Sequence, residues 1–549
     1  MTRPLTDHSI MAAGPAEAEA PEPSENARPS LSHAVSLSFA LAVEDVDYFA
    51  ERLDRLSGVA AANMVFRVVY LDTPDYAIAG LGLGFGIRRR GSGKRAGWKR
   101  FVAPLSAATP KTARRELGHC LRRATGISVV ARIETQRRLW LLRWGDCQAE
   151  VRLDRSTALM NGKEVAVASA SFASDAPNAD FFHFVTAACD PDRLRLTAES
   201  DLLRIYRLCK GPLPPYVAAF APELDADMDA AAGFRAVAAA CFDQFLLNEA
   251  AIRATGDREA VHQCRVALRR LSACLRFFSA FVSGPDYEAI WRDFKELGAH
   301  LRKARDLDVL IADVIAPALA VDPPSGAKAL MNEIEARREH AYADLAAMLC
   351  APSSAALFLR FAIWLQIGDW TSSADSESQR RRCMPIVRYA RRKFATLNHK
   401  FMLRCAELAE ASEEERHRTR IRAKNVRYDA EFLETLARGK TADKRLRAFI
   451  EAMKNLQTVL GNWNDIVMAR QFFISFAAEA KAEAKGEVEG EVEGDVQTAT
   501  TAKRRSSLAA TAEALGQRIE SISEAEFSEK SAEACQAFVK VKPFWAKLG

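Results

Sequence analysis

The chain of 549 residues has no cysteine pair of the C-x-x-C type, although it contains 11 cysteines. Thiolate zinc sites and disulfide frameworks both need paired or clustered cysteines, so the scattered thiols argue against both. No window approaches the roughly 18 consecutive apolar residues that a membrane-spanning helix needs. The first 30 residues carry acids and prolines where a secretory signal would have an apolar core. We therefore expect a cytoplasmic protein whose cysteines are mostly buried and reduced.

Acidic residues are missing from three arginine-rich segments, residues 260–285, 378–405 and 416–428. Together these segments contain 16 arginines and three lysines, with no Asp or Glu. An ordinary solvated helix mixes both signs, because like charges one turn apart cost a few tenths of a kcal/mol. Arginine predominates over lysine, and its planar guanidinium group matches phosphate oxygens in pairs. The pattern favours a ligand that carries phosphate groups.

The net charge of +6 understates how basic most of the chain is. The first 30 residues carry −3 and residues 479–495 carry −5, which leaves +14 for the remainder. A charge of this size makes a polyanionic partner reasonable.

Composition and periodicity divide the chain into an α+β arrangement. Residues 1–31 read as a disordered leader, and short alternating apolar runs predict a β domain over residues 32–210. Residues 211–228 are a proline-rich linker, after which 3.6-residue periodicity predicts an all-α domain over residues 229–549. Within it, the acidic low-complexity stretch 479–503 is expected to be an excursion between helices.

The helical half contains an internal repeat. One set of residues matches another at a constant offset of 155: His262, Arg265 and Arg269 match His417, Arg420 and Lys424. A second match, at an offset of 159, pairs Arg305-Asp306 with Asn464-Asp465. Spacings of three and four place side chains on one helix face, so each half presents a basic stripe. We predict a tandem duplication whose two stripes lie on a common surface.

Five runs of residues in this half carry a family resemblance. They are V-H-Q-C-R-V-A-L-R-R-L from Val261, A-R-D-L-D-V-L from Ala304, R-H-R-T-R-I-R-A-K-N-V-R-Y from Arg416, K-N-L-Q-T-V-L-G-N-W-N-D from Lys454 and F-V-K-V-K-P-F-W from Phe538. They resemble the CHAD family, the conserved histidine α-helical domain. The resemblance implies two four-helix bundles related by a pseudo-twofold axis, a basic central surface, binding of inorganic polyphosphate and no catalysis.

The stripes and the resemblance together give the expected binding residues. These are His262, Arg265, Arg269, Arg270, Arg276, Lys295, Arg302, Arg305, Arg388, Arg391, Arg392, His417, Arg420, Arg422, Lys424, Arg427 and Lys454. We expect Asp306, Asp308 and Asp465 to orient arginines or cap loops rather than to do acid-base chemistry, because basic surroundings favour the ionised form. The expected partners are polyphosphate and other proteins of polyphosphate granules, with no membrane, cofactor or metal.

The β half resembles, in outline, the CYTH domain, an antiparallel β-tunnel of the triphosphate tunnel type. The resemblance rests on Y-L-D-T-P-D from Tyr70, the basic strand Ile87–Arg90, E-V-R-L-D from Glu150 and L-R-L-T-A-E-S from Leu194. Active members begin with an E-x-E-x-K strand whose carboxylates hold Mg²⁺ or Mn²⁺. Here Ala34, Ser36 and Ser38 stand at those positions, and a later Ser-Lys pair reads Ser200-Asp201. We therefore expect no enzymatic activity.

Two alternatives to polyphosphate binding stay open at this point. A metal-dependent triphosphatase would use the β half, where Arg88, Arg90, Arg132 and Arg152 could form a residual anion site, although any amphipathic strand shows the same alternation. A nucleic-acid-binding protein would place aromatic residues among the basic ones for base stacking, and the stripes contain none.

Overall fold

The structure is a computed structural model that describes residues 35–90, 97–106, 108–109, 112–124, 126–209, 211, 213–321, 323–324, 326–372, 375–408, 410–489, 496–518 and 524–549. The expected leader, residues 1–31, and Ala34 lie outside the described residues, as does the side chain of Arg90.

The chain folds into two compact units. Of the described residues, the first comprises those up to Ala218 together with 243–263 and 349–371, and the second comprises those within 219–242, 264–348 and 372–549. Two helical segments therefore pack with the β domain, a division that the sequence pattern does not indicate.

The first unit is built on eight strands, which confirms the expected antiparallel sheet. The strands are β1 Val35–Leu41, β2 Ala62–Asp72, β3 Leu83–Arg90, β4 Gly97–Pro104, β5 Ser128–Trp144, β6 Cys147–Met160, β7 Lys163–Ser174 and β8 Arg195–Leu196. They pair in the order β4-β3-β2-β5-β6-β7-β1-β8. Just beyond the two edge strands, Ser106 and Glu199 form an antiparallel bridge, and the Ser200 amide donates to the Leu105 carbonyl at 3.0 Å. The two edges of the sheet therefore meet.

The two faces of the sheet differ in chemistry. Along β1 the apolar residues Val35, Leu37, Phe39 and Leu41 are buried, and the serines between them face the other way. The register aligns Ser38 with Ser171, Arg152 and Leu139, and we call the face that these residues share the inner face. Strand alternation places polar and charged residues on it.

In the part of this half that the structure describes, the helices beside the sheet are α1 Val46–Ser57, α2 Ala77–Gly80, α3 Ala113–Arg123, α4 Ala179–Ala188 and α5 Asp201–Leu208. Helix α1 covers the outer face, where the Trp140 indole donates to Asp54 at 2.8 Å. Between α5 and α6, the described residues of the predicted linker form neither a helix nor a named strand.

From Ala230 onward, the described residues are mainly helical. The helices are α6 Ala230–Thr255, α7 Arg258–Phe277, α8 Pro285–Val309, α9 Ala316–Val321, α10 Ala327–Cys350, α11 Pro352–Ile367, α12 Asp369–Ser372, α13 Ser376–Arg382, α14 Ile386–Ala406, α15 Glu413–Phe432, α16 Lys440–Glu489, α17 Val496–Arg518 and α18 Glu524–Val539. Helix α6 is long and apolar enough to cross a membrane by length and composition, but 61% of its apolar window is buried inside the protein. This burial is typical of a core helix.

The internal repeat appears in the helix bounds. Helices α7 and α15 both have 20 residues, and both their ends differ by 155 positions. Helices α8 and α16 also begin 155 positions apart. Ser412 caps α15 through a capping box with Glu415, and the three glutamates of the first turn, Glu413, Glu414 and Glu415, precede the basic residues.

The acidic stretch 479–503 differs from the sequence expectation of an excursion between helices. Residues 479–489 continue α16, which runs for 50 residues, and residues 496–503 begin α17. Two ion pairs join the helices on either side, Lys481 with Glu513 at 2.5 Å and Arg505 with Glu483. Residues 490–495, between these helices, lie outside the described residues.

Candidate anion-binding site

Two arginines at equivalent positions of the repeat make equivalent ion pairs. Arg265 on α7 donates to Asp306 at 2.7 Å and to the Arg302 carbonyl at 3.1 Å. Arg420 on α15 donates to Asp465 at 3.3 Å. The arginine side chains are only 12% and 15% exposed, and the aspartates are about half exposed, so each carboxylate fixes its guanidinium group from the solvent side. The expectation that Asp306 and Asp465 orient arginines is confirmed.

Asp308 behaves differently from these two aspartates. It is 5% exposed, and its Oδ2 atom accepts a hydrogen bond from the Tyr342 hydroxyl at 2.7 Å. This bond links α8 to α10 within the second unit.

The stripes on α7 and α15 lie close enough for their charges to interact. Burial, together with the charges of Arg269 and Arg420, lowers the pKa of Lys424 to about 7. Burial also lowers the pKa of Arg420, and repulsion by the charge of Arg265 lowers it further. We call Arg265, Arg269, Arg302, Arg420 and Lys424 the central basic cluster. The structure thus brings together one stripe from each half of the repeat.

Tyr428 is part of this neighbourhood, and sequence reasoning missed it. The residue is 4% exposed, and its hydroxyl group acts electrostatically on Arg269, whose pKa is lowered by burial and by the charge of Arg420. Tyr428 follows Lys424 by four residues, so helix spacing places both on the same face of α15 and could have indicated Tyr428 from the sequence.

The two equivalent histidines do not lie in the same unit. His417 is exposed, and its Nδ1 atom lies 2.8 Å from Asn464 Oδ1. Because an amide oxygen accepts, this contact requires a proton on Nδ1. His262 is half-buried on the part of α7 that belongs to the first unit.

A second group of cations lies around Arg276 and Arg422. Burial lowers the pKa of Arg422, and the nearby charges of Arg404, Arg276 and Arg418 lower it further. Burial likewise lowers the pKa of Lys393, and Arg276 contributes. We call these five residues the outer basic cluster. Lys393, Arg404 and Arg418 were not among the expected binding residues, although all three lie in the segments without acids.

Three of the expected binding residues have structural partners instead. Arg270 is 1% exposed, donates to the Phe220 carbonyl at 2.6 Å and stacks over the Phe432 ring. Arg391 donates to the Leu548 carbonyl, which holds the C-terminal segment. Arg427 pairs with Glu431 at 2.5 Å and donates to Gln457 at 3.0 Å. The inclusion of Arg270 was wrong, because its neighbour Arg269 faces the cluster and Arg270 points into the core.

The other expected residues lie along the same helices. Arg305 is half-buried on α8, and four residues are exposed on α8, α14 and α16: Lys295, Arg388, Arg392 and Lys454. Lys454 lies 3.8 Å from Glu451, a surface pair.

The inner face of the sheet carries charges of both signs that pair with each other. Arg137 donates to both oxygens of Asp154, at 2.7 and 2.6 Å, and Arg152 pairs with Glu150. Arg137 was missed, because only the strand register shows that it lies opposite Asp154. Each of the two carboxylates on β6 is therefore already matched by a guanidinium group.

The proposed residual anion site is only partly assembled. The register aligns Arg88 with Val68 and Ile133 on the inner face, where Arg152 also lies. Arg132 is the neighbour of Ile133, so strand alternation places it on the outer face, where it is exposed. Including Arg132 was wrong for this reason.

The inner face also fails to fit a divalent cation. Ser36 lies opposite Ala173 on it, and Ser38 lies opposite Ser171. Asp201 is buried, which raises its pKa, and it accepts hydrogen bonds from Ser169 at 3.0 Å and Arg204 at 3.3 Å. Among the described residues, no group of three or more His, Cys, Asp or Glu side chains could hold a metal ion. Hard cations need several free oxygen ligands, and these carboxylates are engaged by arginines.

Comparison with known proteins identifies the family of the helical part of the chain. The family model of the CHAD domain matches residues 236–473. Among solved structures, the CHAD domain from the plant Ricinus communis is 26% identical, with a TM-score of 0.42, and the match covers 57% of this chain and 98% of that one. A protein from Bacillus halodurans described as an adenylate cyclase is 11% identical, with a TM-score of 0.17, over 33% of this chain and 92% of that one. No curated protein sequence matches. Residues 236–473 of this chain form a CHAD domain.

Proposed function

We propose that this protein binds inorganic polyphosphate on the central basic cluster and is not an enzyme. The observation that carries the proposal is the mutual repulsion within the cluster, where Arg269, Arg420 and Arg265 all lower the pKa of Lys424. Two partly exposed carboxylates, Asp306 and Asp465, oppose this charge in ion pairs with Arg265 and Arg420. Such a group of cations is unfavourable by itself, and a bound polyanion removes the repulsion.

Arginine chemistry favours phosphate as the anion. A guanidinium group offers two parallel N–H donors to one phosphate group, and the carboxylates of Asp306 and Asp465 hold Arg265 and Arg420 in place. Less side-chain entropy is then lost when the ligand binds.

A polymer suits the arrangement better than a single phosphate group. The central basic cluster draws on α7, α8 and α15, and the outer basic cluster adds Lys393 and Arg404 from α14. A chain with about one charge per phosphate can occupy many such positions and releases its condensed cations on binding. Affinity should then fall steeply as salt concentration rises.

The first unit serves, in this proposal, as a scaffold or an interaction surface. Its inner-face carboxylates are paired with Arg137 and Arg152, which removes the metal ligands that a triphosphatase would need. We further propose a cytoplasmic location at polyphosphate granules, with polyphosphate and other granule proteins as the partners.

The test is a binding titration of the full-length chain with long-chain polyphosphate and, at matched salt, with single-stranded DNA of equal charge. We expect polyphosphate to bind more tightly, with a steep dependence on salt. If the DNA bound as tightly as polyphosphate, the proposal would be overturned in favour of nucleic-acid binding. An affinity that does not depend on salt concentration would show that the ligand is not a polyanion.

A further inference from the structure

Two cysteines of the second unit lie side by side, one on α14 and one on α18. Cys405 near the end of α14 and Cys535 near the end of α18 are 6% and 7% exposed, and neither is in a disulfide. Their thiols are hydrogen-bonded to each other. The sequence separates them by 130 positions, so no local spacing indicates the pair.

A cavity of about 390 Å³ opens beside the two sulfur atoms. Met402, Leu408 and Val539 line it together with the two cysteines, and Val539 is 51% exposed at its rim. The thiols are therefore covered on most sides, yet a small molecule can reach them from the solvent.

The hydrogen bond makes the two sulfur atoms chemically unequal. The bond that Cys405 donates lowers the pKa of Cys535, and the same bond, with burial, raises the pKa of Cys405. The thiolate is the nucleophile, so Cys535 attacks first, and Cys405 keeps its proton until the second step. Low-pKa thiols beside a second thiol are typical of oxidation-sensitive sites.

We propose that Cys535 and Cys405 form a redox-active dithiol that small hydroperoxides convert into a disulfide joining α14 to α18. In the first step the Cys535 thiolate attacks the terminal oxygen of the hydroperoxide. An S–O bond forms, the O–O bond breaks, and the alkoxide or hydroxide leaves and takes a proton from water. In the second step the Cys405 sulfur attacks the resulting sulfenic acid, the S–O bond breaks, and water leaves with the Cys405 proton. The two sulfur atoms lose two electrons and the peroxide gains them.

The disulfide would fix helix α14, which contributes to the outer basic cluster. Lys393 and Arg404 lie on α14, and Arg404 is the residue directly before Cys405. A bridge that closes a long loop restricts the unfolded chain, so the oxidised protein should be more stable to heat. The proposal stands whether or not polyphosphate binds.

A second buried cysteine pair provides an internal control. Cys241 and Cys274 are both 0% exposed and act on each other electrostatically, and burial raises the pKa of Cys274 well above its usual value. Both thiols are fully buried and out of reach of a small molecule in solution, so this pair should resist the same oxidant.

The experiment treats the full-length folded protein with hydrogen peroxide, blocks the remaining thiols and maps peptides by mass spectrometry. We expect a disulfide between Cys405 and Cys535, lighter than the dithiol by two hydrogen atoms, before Cys241 or Cys274 reacts. The melting temperature should rise on oxidation and return on reduction. In Cys405→Ser, a sulfenic acid on Cys535 should be trapped by a dimedone probe, and in Cys535→Ser, Cys405 should be unreactive.

Circular dichroism of both serine variants verifies that they fold. Oxidation of the exposed Cys350 and Cys383 alone, without the internal bridge, would overturn the proposal. Equal reactivity of Cys405 in Cys535→Ser would overturn the assigned order of attack.

Discussion

Arg265 and Arg420 occupy equivalent positions in two halves of an internal repeat, and the positive charge of the first lowers the pKa of the second. Each is held by an aspartate of a following helix. The duplication thus produces a single cluster to which both halves contribute.

Removing either stripe should weaken polyphosphate binding. We expect Arg265→Ala with Arg269→Ala, or Arg420→Ala with Lys424→Ala, to reduce affinity by about tenfold or more, because each desolvated charged contact contributes roughly 1.5 to 3 kcal/mol. Isothermal titration calorimetry measures the change. Arg447→Ala is the matched control, since Arg447 is 78% exposed on α16 and pairs with Asp443. Full affinity in one double variant would show that the stripes bind independently.

Binding should depend on pH through Lys424. Its pKa of about 7 in the free protein means that it is partly neutral at neutral pH, and a bound polyanion stabilises its charged form and raises this pKa. Affinity should therefore decrease as pH rises from 6 to 8 (roughly one unit either side of that pKa), with proton uptake on binding near pH 7. Lys424→Arg, which stays charged, should flatten the profile; a profile identical to that of the unaltered protein would refute the role of Lys424.

Arg270 should matter for stability and not for binding. Its guanidinium group donates to a backbone carbonyl in the core and stacks on Phe432. Arg270→Ala leaves a cavity and an unsatisfied carbonyl, at a cost of about 2 to 4 kcal/mol of unfolding free energy. Chemical denaturation measures this cost. Arg276→Ala, at an exposed position on the same helix, should leave stability nearly unchanged. If Arg270→Ala weakened binding and left the unfolding free energy unchanged, Arg270 would have to contact the ligand.

The full-length protein should not hydrolyse inorganic triphosphate with Mg²⁺ or Mn²⁺. The carboxylates of Glu150 and Asp154 are paired with arginines, and Ser36 and Ser38 offer only hydroxyl groups. A phosphate-release assay tests this expectation. Release well above background that disappears in Glu150→Gln would assign an enzymatic role to the sheet.

Sequence pattern predicts the helical half well, because its signals are local. The offset of 155 that relates Arg265 to Arg420 is also the offset between the ends of α7 and α15. Spacing on one helix does not show which of Arg269 and Arg270 faces the core. Adjacent residues lie about 100° apart around the helix, and the side that is buried depends on partners from other helices, such as Phe432.

In the β half, the face of each residue depends on strand register, which is set by tertiary pairing. Arg132 and Arg137 both lie on β5, yet one is on the outer face and the other bonds to Asp154. The grouping of residues 243–263 and 349–371 with the sheet is likewise a product of long-range packing, and no local pattern marks it.

The ion pairs on the inner face of the sheet also limit what protein engineering can do there. Replacing Ser36 and Ser38 by glutamate would add two carboxylates to a surface where Arg137 and Arg152 already neutralise Asp154 and Glu150. The new carboxylates would compete for the same guanidinium groups and would not be free to hold a cation. A designer who wants a divalent metal in this unit would have to remove both arginines in the same step, and any single substitution along that route would leave an unpaired charge.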